Sequence, residues 1–171
     1  MHEYTQMANR TNKIAQNVAA FLFTTALVLL AFSAIFNVSF SGVYQSLSII
    51  CLSTGTLILT AYVMRDYRYS VVKNDDGSLD LTVTEVKKKS NITVCRVSLA
   101  GIEAVEIYSK ERADELRKKG RGRKTFSYFP EISPPRQCWV YVSECGEDYL
   151  LKLVPDDELL RILELAAEWE K

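Results

Sequence analysis

The sequence predicts a membrane α-helical hairpin followed by a mainly β domain that ends in a helix. Between Lys13 and Arg65 lie 51 consecutive residues without Asp, Glu, Lys, Arg or His. After Tyr67 apolar and polar residues alternate in short runs, and beyond Pro155 the apolar spacing becomes helical. The 21 basic and 21 acidic side chains therefore all lie outside the uncharged stretch, and the net charge of zero averages two unlike parts.

The uncharged stretch contains two apolar runs joined by a short polar connection. Residues 17–36 and 43–63 form runs of 20 and 21 residues. At about 1.5 Å per residue, each covers the roughly 30 Å hydrocarbon core of a bilayer. Because the connection at 37–42 is short, the second run must return antiparallel to the first. We expect an N-terminal segment at 1–16, the hairpin at 17–64 and the β domain at 65–171.

Two other interpretations apply to the apolar runs. Arg10 and Lys13 before the first run are also typical of a signal peptide, but the run exceeds the roughly 7 to 15 residues of a signal core, and a second run follows. A pair of buried helices in a soluble protein would need more chain to cover it than 171 residues supply. The membrane hairpin is therefore the preferred prediction.

The charges that flank the hairpin predict its orientation. Arg10 and Lys13 precede the first run, Arg65 and Arg68 follow the second, and the connection is uncharged. Positively charged flanks favour the cytoplasmic side. We expect a multi-pass protein of the inner (cytoplasmic) membrane with both termini in the cytoplasm. Because the runs contain no ionisable group of the kind that transport pathways use, their Ser and Thr residues are expected to pack helices together.

The region after the hairpin has the period of β-strands. Leu79, Leu81 and Val83 share one strand face, and the polar residues between them share the other. The turn-forming residues 74–78 before this strand predict a hairpin. Strands are expected at residues 67–73, 79–88, 92–97, 102–108, 138–143 and 148–153.

An amphipathic helix is predicted to close the chain. Residues 154–158 place Pro155 at the first turn and acidic residues where the positive end of the helix dipole favours them. Leu159, Leu160 and Leu163 begin one broad apolar side. The predicted order is therefore a series of strands covered by one helix.

This order resembles that of the bacterial pleckstrin-homology-like (PH-like) membrane proteins. The resemblance rests on the strands of residues 67–97, the hairpin of residues 138–153 and the helix entry at residues 155–160. It implies an antiparallel, partly open barrel, or two near-orthogonal sheets, closed by the C-terminal helix. It also implies a role in binding or scaffolding. No individual site residue is carried over, because a long charged insertion separates the middle strands.

The insertion at residues 110–124 contains eight basic and three acidic residues. Its second half is predicted to be a flexible basic loop. Three interpretations stay open: a solvated loop, a contact with anionic lipid head groups, and a contact with nucleic acid or an acidic protein. Nucleic acid is the less expected partner, because the rest of the domain is not basic. The acidic segment 156–171 is a further possible intramolecular or dimer partner. The candidate contact residues are Arg117, Lys118, Lys119, Arg121, Arg123 and Lys124.

The residue inventory argues against an enzyme. The only histidine is His2, which excludes a multi-histidine metal site or a histidine-based triad in the folded part. Cys51, Cys95, Cys138 and Cys145 form no Cys-x-x-Cys pair, and we expect them to be reduced and to pack. Catalytic, cofactor-binding and metal-binding residues are not predicted.

These patterns predict a non-enzymatic, membrane-anchored binding or scaffold protein with a cytosolic PH-like domain. Its expected partners are the membrane that it spans twice and either anionic lipid head groups or a protein. An alternative function is that of an accessory or regulatory subunit in a larger membrane complex. The sequence leaves the oligomeric state open.

Overall fold

The computed structural model describes residues 4–8, 10, 12–35, 41–87, 90–132, 134 and 136–169. The chain forms two compact units. The helical unit is Arg10–Arg65, and the β unit combines Met1–Asn9 with Asp66–Lys171. Two apolar helices and a β-rich domain with a C-terminal helix are therefore confirmed.

The helical unit consists of two long helices. Helix α1 is Ile14–Ile35, and helix α2 is Ser41–Ile58, which continues as a π-helical turn, Leu59–Val63. Both are long and apolar enough to cross a membrane, and only 17% and 11% of their most apolar windows are buried within the structure. Helix α2 begins inside the predicted connection at 37–42, and residues 37–40 lie outside the described residues.

Small side chains allow the two helices to approach closely. Ala19 and Ala26 of α1 are buried, as are Ser48 and Gly55 of α2. A Cβ atom at Gly55 would lie 3.3 Å from the ring of Phe23. The Ser48 hydroxyl donates a 2.9 Å hydrogen bond to the Ala26 carbonyl of the other helix. Small residues and hydroxyls are the usual means by which apolar helices pack together.

Other hydroxyls of the helices do not join them. Thr24 and Thr56 each donate a hydrogen bond to the carbonyl four residues earlier in their own helix, and both are exposed. Within this hairpin the expected packing through hydroxyls is therefore confirmed for Ser48, whereas Thr24 and Thr56 make their hydrogen bonds within their own helices.

Arg10 binds backbone carbonyls at the C-terminal end of the second helix. Its guanidinium donates hydrogen bonds to the carbonyls of Val63 at 2.7 Å and Arg65 at 2.9 Å. Carbonyls at the end of a helix lack partners within it, and a cation is favoured there. The residue that predicts membrane orientation therefore also caps the second helix.

The first sheet contains four antiparallel strands in sequence order. They are β1 (Tyr4–Met7), β2 (Asp66–Lys73), β3 (Leu79–Lys87) and β4 (Ser90–Ser98). Tyr67, Tyr69 and Val71 alternate into the core from β2, as the sequence pattern predicts. Strand β1 was not predicted, and it lies within the segment 1–16. Four residues before a helix are too few to show a period of two.

The second sheet has the order β5-β7-β8-β6. Its strands are β5 (Ile102–Ile107), β6 (Lys124–Ser127), β7 (Cys138–Glu144) and β8 (Glu147–Leu153). Three of them match predicted strands, whereas β6 lies at the end of the predicted basic loop and pairs parallel to β8. In the described part of the chain the two sheets stay separate and form no closed barrel.

The core lies between the inner faces of the sheets and helix α4, which is Asp157–Trp169. Leu159 and Leu163 of α4 are fully buried. The Asp156 carboxylate accepts a 2.9 Å hydrogen bond from the Leu159 amide, so Asp156 caps the helix and Pro155 precedes the cap. Tyr4 of β1 donates a hydrogen bond to the same carboxylate. The unpredicted strand therefore helps to hold the start of α4.

The expected packing role of the cysteines holds for only part of the set. Cys138 is buried in the core, and burial raises the pKa of its thiol to about 12. Cys145, in contrast, is exposed in the β7–β8 turn, where its φ angle of 54° is followed by 79° at Gly146. Two successive left-handed residues are typical of a tight hairpin turn. A packing role for Cys145 is therefore wrong.

Candidate functional site: a basic surface on the second sheet

The basic insertion forms a helix, a turn and the start of a strand, where the sequence predicts a loop. Residues Ala113–Lys119 form helix α3, and Lys124 starts strand β6. Asp114 and Glu115 lie in the first turn of α3 and three basic residues in the last, which is the arrangement that the helix dipole favours. The distribution of charged residues in the insertion therefore favours a helix, although its high overall charge is more typical of a solvated loop.

One leucine fixes α3 to the outer face of the second sheet. Leu116 is only 1% exposed and packs with Trp139, Tyr141 and Leu150. A Cβ atom at Gly120, which ends the helix, would lie 2.9 Å from the Leu150 side chain. Alternate residues of β7 point into the main core and into this second cluster. The insertion thus covers a sheet face that would otherwise expose two large aromatic rings.

Aromatic rings form a platform beneath the basic side chains. Tyr108 stacks on Trp139 with 5.5 Å between ring centroids. The Tyr141 hydroxyl donates a 3.3 Å hydrogen bond to the Leu116 carbonyl. The Lys119 ammonium lies 4.8 Å from the centroid of the Tyr141 ring, within the range of a cation–π interaction.

Three of the six predicted contact residues form ion pairs with the sheet. Lys119 pairs with Glu106 at 2.8 Å, Arg123 with Glu103 at 2.6 Å, and Lys124 with Glu147 at 2.7 Å. The hydrogen bond from Lys119 holds the pKa of Glu106 below its usual value, and the bond from Lys124 does the same for Glu147. These cations fasten the insertion to β5 and β8 and have much of their charge neutralised.

The other three form the basic surface, defined here as Arg117, Lys118 and Arg121. All three are exposed. Within the described part of the chain, none of them has an ion-pair partner. Exposed arginines and lysines of one sign, held on a short helix and the turn after it, attract anions. The structure thus separates the six candidates into three anchoring and three outward-facing cations.

The acidic C-terminal helix does not contact these cations. Helix α4 packs into the main core on one side of the second sheet, and α3 packs on the other. The carboxylates that pair with the insertion come from β5 and β8. The alternative of an intramolecular contact between segment 156–171 and the insertion is therefore wrong for the residues that the structure describes.

Lys152 belongs to the same face of the sheet and was missed by the sequence analysis. Its ammonium lies 4.2 Å from the centroid of the Trp139 ring. Partial burial and the positive charge of Arg117 lower the pKa of this ammonium. A single lysine in an apolar strand carries no sequence signal for such a role, because its neighbours come from β7 and α3.

Two cavities elsewhere in the β unit lack a comparable set of charges. One, of about 300 Å³, lies beside Cys95, Tyr128 and Tyr149. Another, of about 210 Å³, lies beside Cys138 and the start of α4. Burial raises the pKa of the Cys95 thiol, so it is a poor nucleophile at neutral pH. The described residues contain no group of three or more side chains that would hold a metal ion.

Comparison of this chain with protein-family models, with curated proteins and with solved structures gives no match.

Proposed function

We propose that this protein is a non-enzymatic, membrane-anchored binding module whose PH-like β domain contacts anionic lipid head groups through the basic surface. The observation that carries the proposal is the separation of charges on the insertion. Lys119, Arg123 and Lys124 anchor it, while Arg117, Lys118 and Arg121 face outward without a carboxylate partner among the described residues.

The helical unit supports the membrane anchor. Large apolar side chains such as Phe21, Leu27, Ile49 and Leu57 are exposed on both helices. Such a surface is unfavourable in water and favourable in a bilayer. In this proposal, α1 and α2 cross the inner membrane, and the basic flanks Arg10 and Arg65 lie on the cytoplasmic side.

Two separate sheets covered by a C-terminal helix support the PH-like assignment. The element order agrees with the one that the resemblance implies, and β6 and α3 are additions from the insertion. Near an anionic leaflet each exposed basic residue contributes about 1 kcal/mol, and tethering raises the effective concentration of the domain at the surface. Three outward cations are therefore enough to bias the domain toward the bilayer.

Fluorescence energy transfer tests the proposal with the full-length protein in nanodiscs. The exposed Cys145 takes a donor dye, and head-group-labelled lipid is the acceptor. We expect more transfer with phosphatidylglycerol than with phosphatidylcholine alone, and a loss of that difference at high salt. The triple variant Arg117→Gln, Lys118→Gln, Arg121→Gln should lose it at low salt too.

A matched triple variant controls for net charge. Lys73, Lys87 and Arg136 are exposed outside the insertion, and their replacement by Gln removes the same three charges. This variant should keep the dependence on phosphatidylglycerol. Equal transfer from both triple variants would remove the lipid-binding role of the basic surface.

A second candidate function, an accessory subunit of a larger membrane complex, is favoured by one face of α2. Ser46, Ser53 and Thr60 are exposed and spaced by seven residues, so they form a stripe on one side of the helix. Ser48 and Gly55, which contact α1, lie on a different side. A photocrosslinker at position 53 should then form an adduct with another membrane protein, whereas one at Ile50 should label lipid.

A further inference from the structure

We infer that Lys152, Arg117 and the indole N–H of Trp139 form a binding site for a phosphate group on the outer face of the second sheet. The inference deepens the proposed function, and it rests on that function where the phosphate belongs to a lipid. The expected ligand is a phosphate group. It can belong to a phosphate monoester of a lipid head group or to a soluble phosphate, because both present the same oxygen atoms.

The first argument is that the charge of Lys152 is not neutralised. The residue is half-buried, its ammonium lies 4.2 Å from the centroid of the Trp139 ring, and no ion pair joins it to a carboxylate in the described part of the chain. The carboxylates of the same face, Glu103, Glu106 and Glu147, already pair with Arg123, Lys119 and Lys124. A partly desolvated cation is costly unless an anion accompanies it.

The second argument is that the fold holds another cation beside it. Arg117 lies in the last turn of α3, and its positive charge adds to the effect of partial burial in lowering the pKa of the Lys152 ammonium. Leu116, the neighbouring residue, packs on Trp139, and Lys152 lies over the same indole ring, so α3 carries Arg117 on this face of the sheet. Two like charges held together are unfavourable by themselves, and a doubly charged anion between them removes that cost.

The third argument is that the remaining polar groups here are hydrogen-bond donors. Trp139 is 4% exposed, and its indole nitrogen is buried without a hydrogen-bond partner among the described residues. The ammonium of Lys152 lies over the same indole, so the two donors are neighbours. The exposed Ser127 is the register partner of Lys152 and adds a hydroxyl on the adjoining strand.

Together these groups match a phosphate better than a carboxylate. A guanidinium binds two oxygens side by side, and an ammonium and an indole N–H each bind one. A monoester phosphate presents three equivalent oxygens and nearly two negative charges at neutral pH, whereas a carboxylate presents two oxygens and one charge. The site is therefore expected to prefer monoesters to diesters, which carry one charge.

Trp139 provides a direct probe of the site. The chain has two tryptophans, so a Trp169→Phe background leaves Trp139 as the only one. We would titrate this full-length protein in an uncharged detergent with inorganic phosphate, using chloride at equal ionic strength as the control. The expected result is a saturable change in Trp139 fluorescence with phosphate and none with chloride.

Variants assign the response to the site. Lys152→Gln and Arg117→Gln should each weaken phosphate binding by about tenfold or more, the factor expected for one charged hydrogen bond. Lys152→Arg should retain binding, which separates loss of charge from loss of fold. Lys73→Gln, at an exposed position of the first sheet, should stay within about twofold of the parent, because Lys73 lies outside both the basic surface and the phosphate site. Equal affinity in the parent and Lys152→Gln proteins would overturn the inference.

Nanodiscs distinguish the two sources of phosphate. If the occupant is a lipid, phosphatidic acid should change Trp139 fluorescence in a Lys152-dependent way, and phosphatidylglycerol should do so less. If it is soluble, inorganic phosphate alone should act. If neither inorganic phosphate nor phosphatidic acid gave a Lys152-dependent response, the phosphate site would be excluded. The energy-transfer difference with phosphatidylglycerol, which tests the proposed function, would be unaffected by that result. Loss of that difference with phosphate binding retained would instead reject the proposed function.

Discussion

Met7 in β1 lies directly opposite Arg68 in β2, and both apolar helices lie between these two residues in the sequence. Antiparallel neighbours are usually joined by a short turn. Here the turn is replaced by a two-helix segment whose own ends meet, since Arg10 binds the carbonyls of Val63 and Arg65. A chain that crosses a bilayer between two paired strands has to cross it an even number of times.

Cysteine accessibility should therefore place the helix connection and the β domain on opposite sides of the membrane. Cys145 is exposed in the domain, and a Cβ atom at Gly42 meets nothing within 4 Å, so Gly42→Cys is tolerated. In intact spheroplasts an impermeant maleimide should label Gly42→Cys in a Cys145→Ser background. It should label Cys145 only after permeabilisation. Labelling of both positions from one side would contradict the two-span arrangement.

Tyr69→Phe should destabilise the β unit by about 1 to 3 kcal/mol. Tyr69 is fully buried; its hydroxyl donates to the Tyr128 carbonyl and accepts a 3.3 Å hydrogen bond from the Val154 amide. Phenylalanine leaves both backbone groups without this partner and keeps the ring. Urea unfolding followed by circular dichroism measures the loss. Thr5→Val, at an exposed hydroxyl of the neighbouring strand, should change stability by less than about 0.5 kcal/mol.

Leu116→Ala should release α3 from the second sheet. The side chain is the buried contact of a seven-residue helix, and such a truncation costs about 2 to 5 kcal/mol in a well-packed site. Because α3 is short, we expect local opening: faster amide exchange over residues 113–120 and a red shift of Trp139 fluorescence. Leu165→Ala, at an exposed position of α4, is the matched truncation and should leave both readouts unchanged.

The substitution Glu106→Gln should reduce the loss of folding stability that occurs as the pH falls into the acidic range. Ion pairs with Lys119 and Arg112 hold the pKa of Glu106 below its usual 4.5 in the folded protein. The unfolded chain therefore takes up a proton first as the pH falls, and this carboxylate's contribution to stability is lost between 4.5 and the lower folded-state pKa. The gap between the parent and Glu106→Gln stabilities should be widest above pH 4.5 and narrow below it. Lys119→Gln should bring the folded-state pKa of Glu106 closer to 4.5, so that stability is lost over a narrower pH range. A difference in stability between the parent and Glu106→Gln that does not depend on pH would contradict this role of the Glu106 carboxylate.

Much of the fold was predictable because its signals are local. An uncharged run of fixed length and a period of two or 3.6 are properties of neighbouring residues. The sequence therefore predicts α1, α2, α4 and six of the eight strands in the described part of the chain to within a few residues. Strands β1 and β6 were missed because each has four residues, which is too few to establish a period. Their pairing partners, β2 and β8, are distant in sequence.

For the candidate site, too, some features follow from the sequence and others only from the tertiary structure. The sequence by itself determined that six cations cluster between residues 117 and 124 and that no histidine-based chemistry is available nearby. Only the tertiary structure decided which of them are neutralised, because Glu103, Glu106 and Glu147 reach them from other strands. It also brought Lys152 and Trp139 to the same face. The charge of each residue can be read from the sequence. The electrostatic potential at a site also depends on the distances between the charges, and only the folded chain sets those distances.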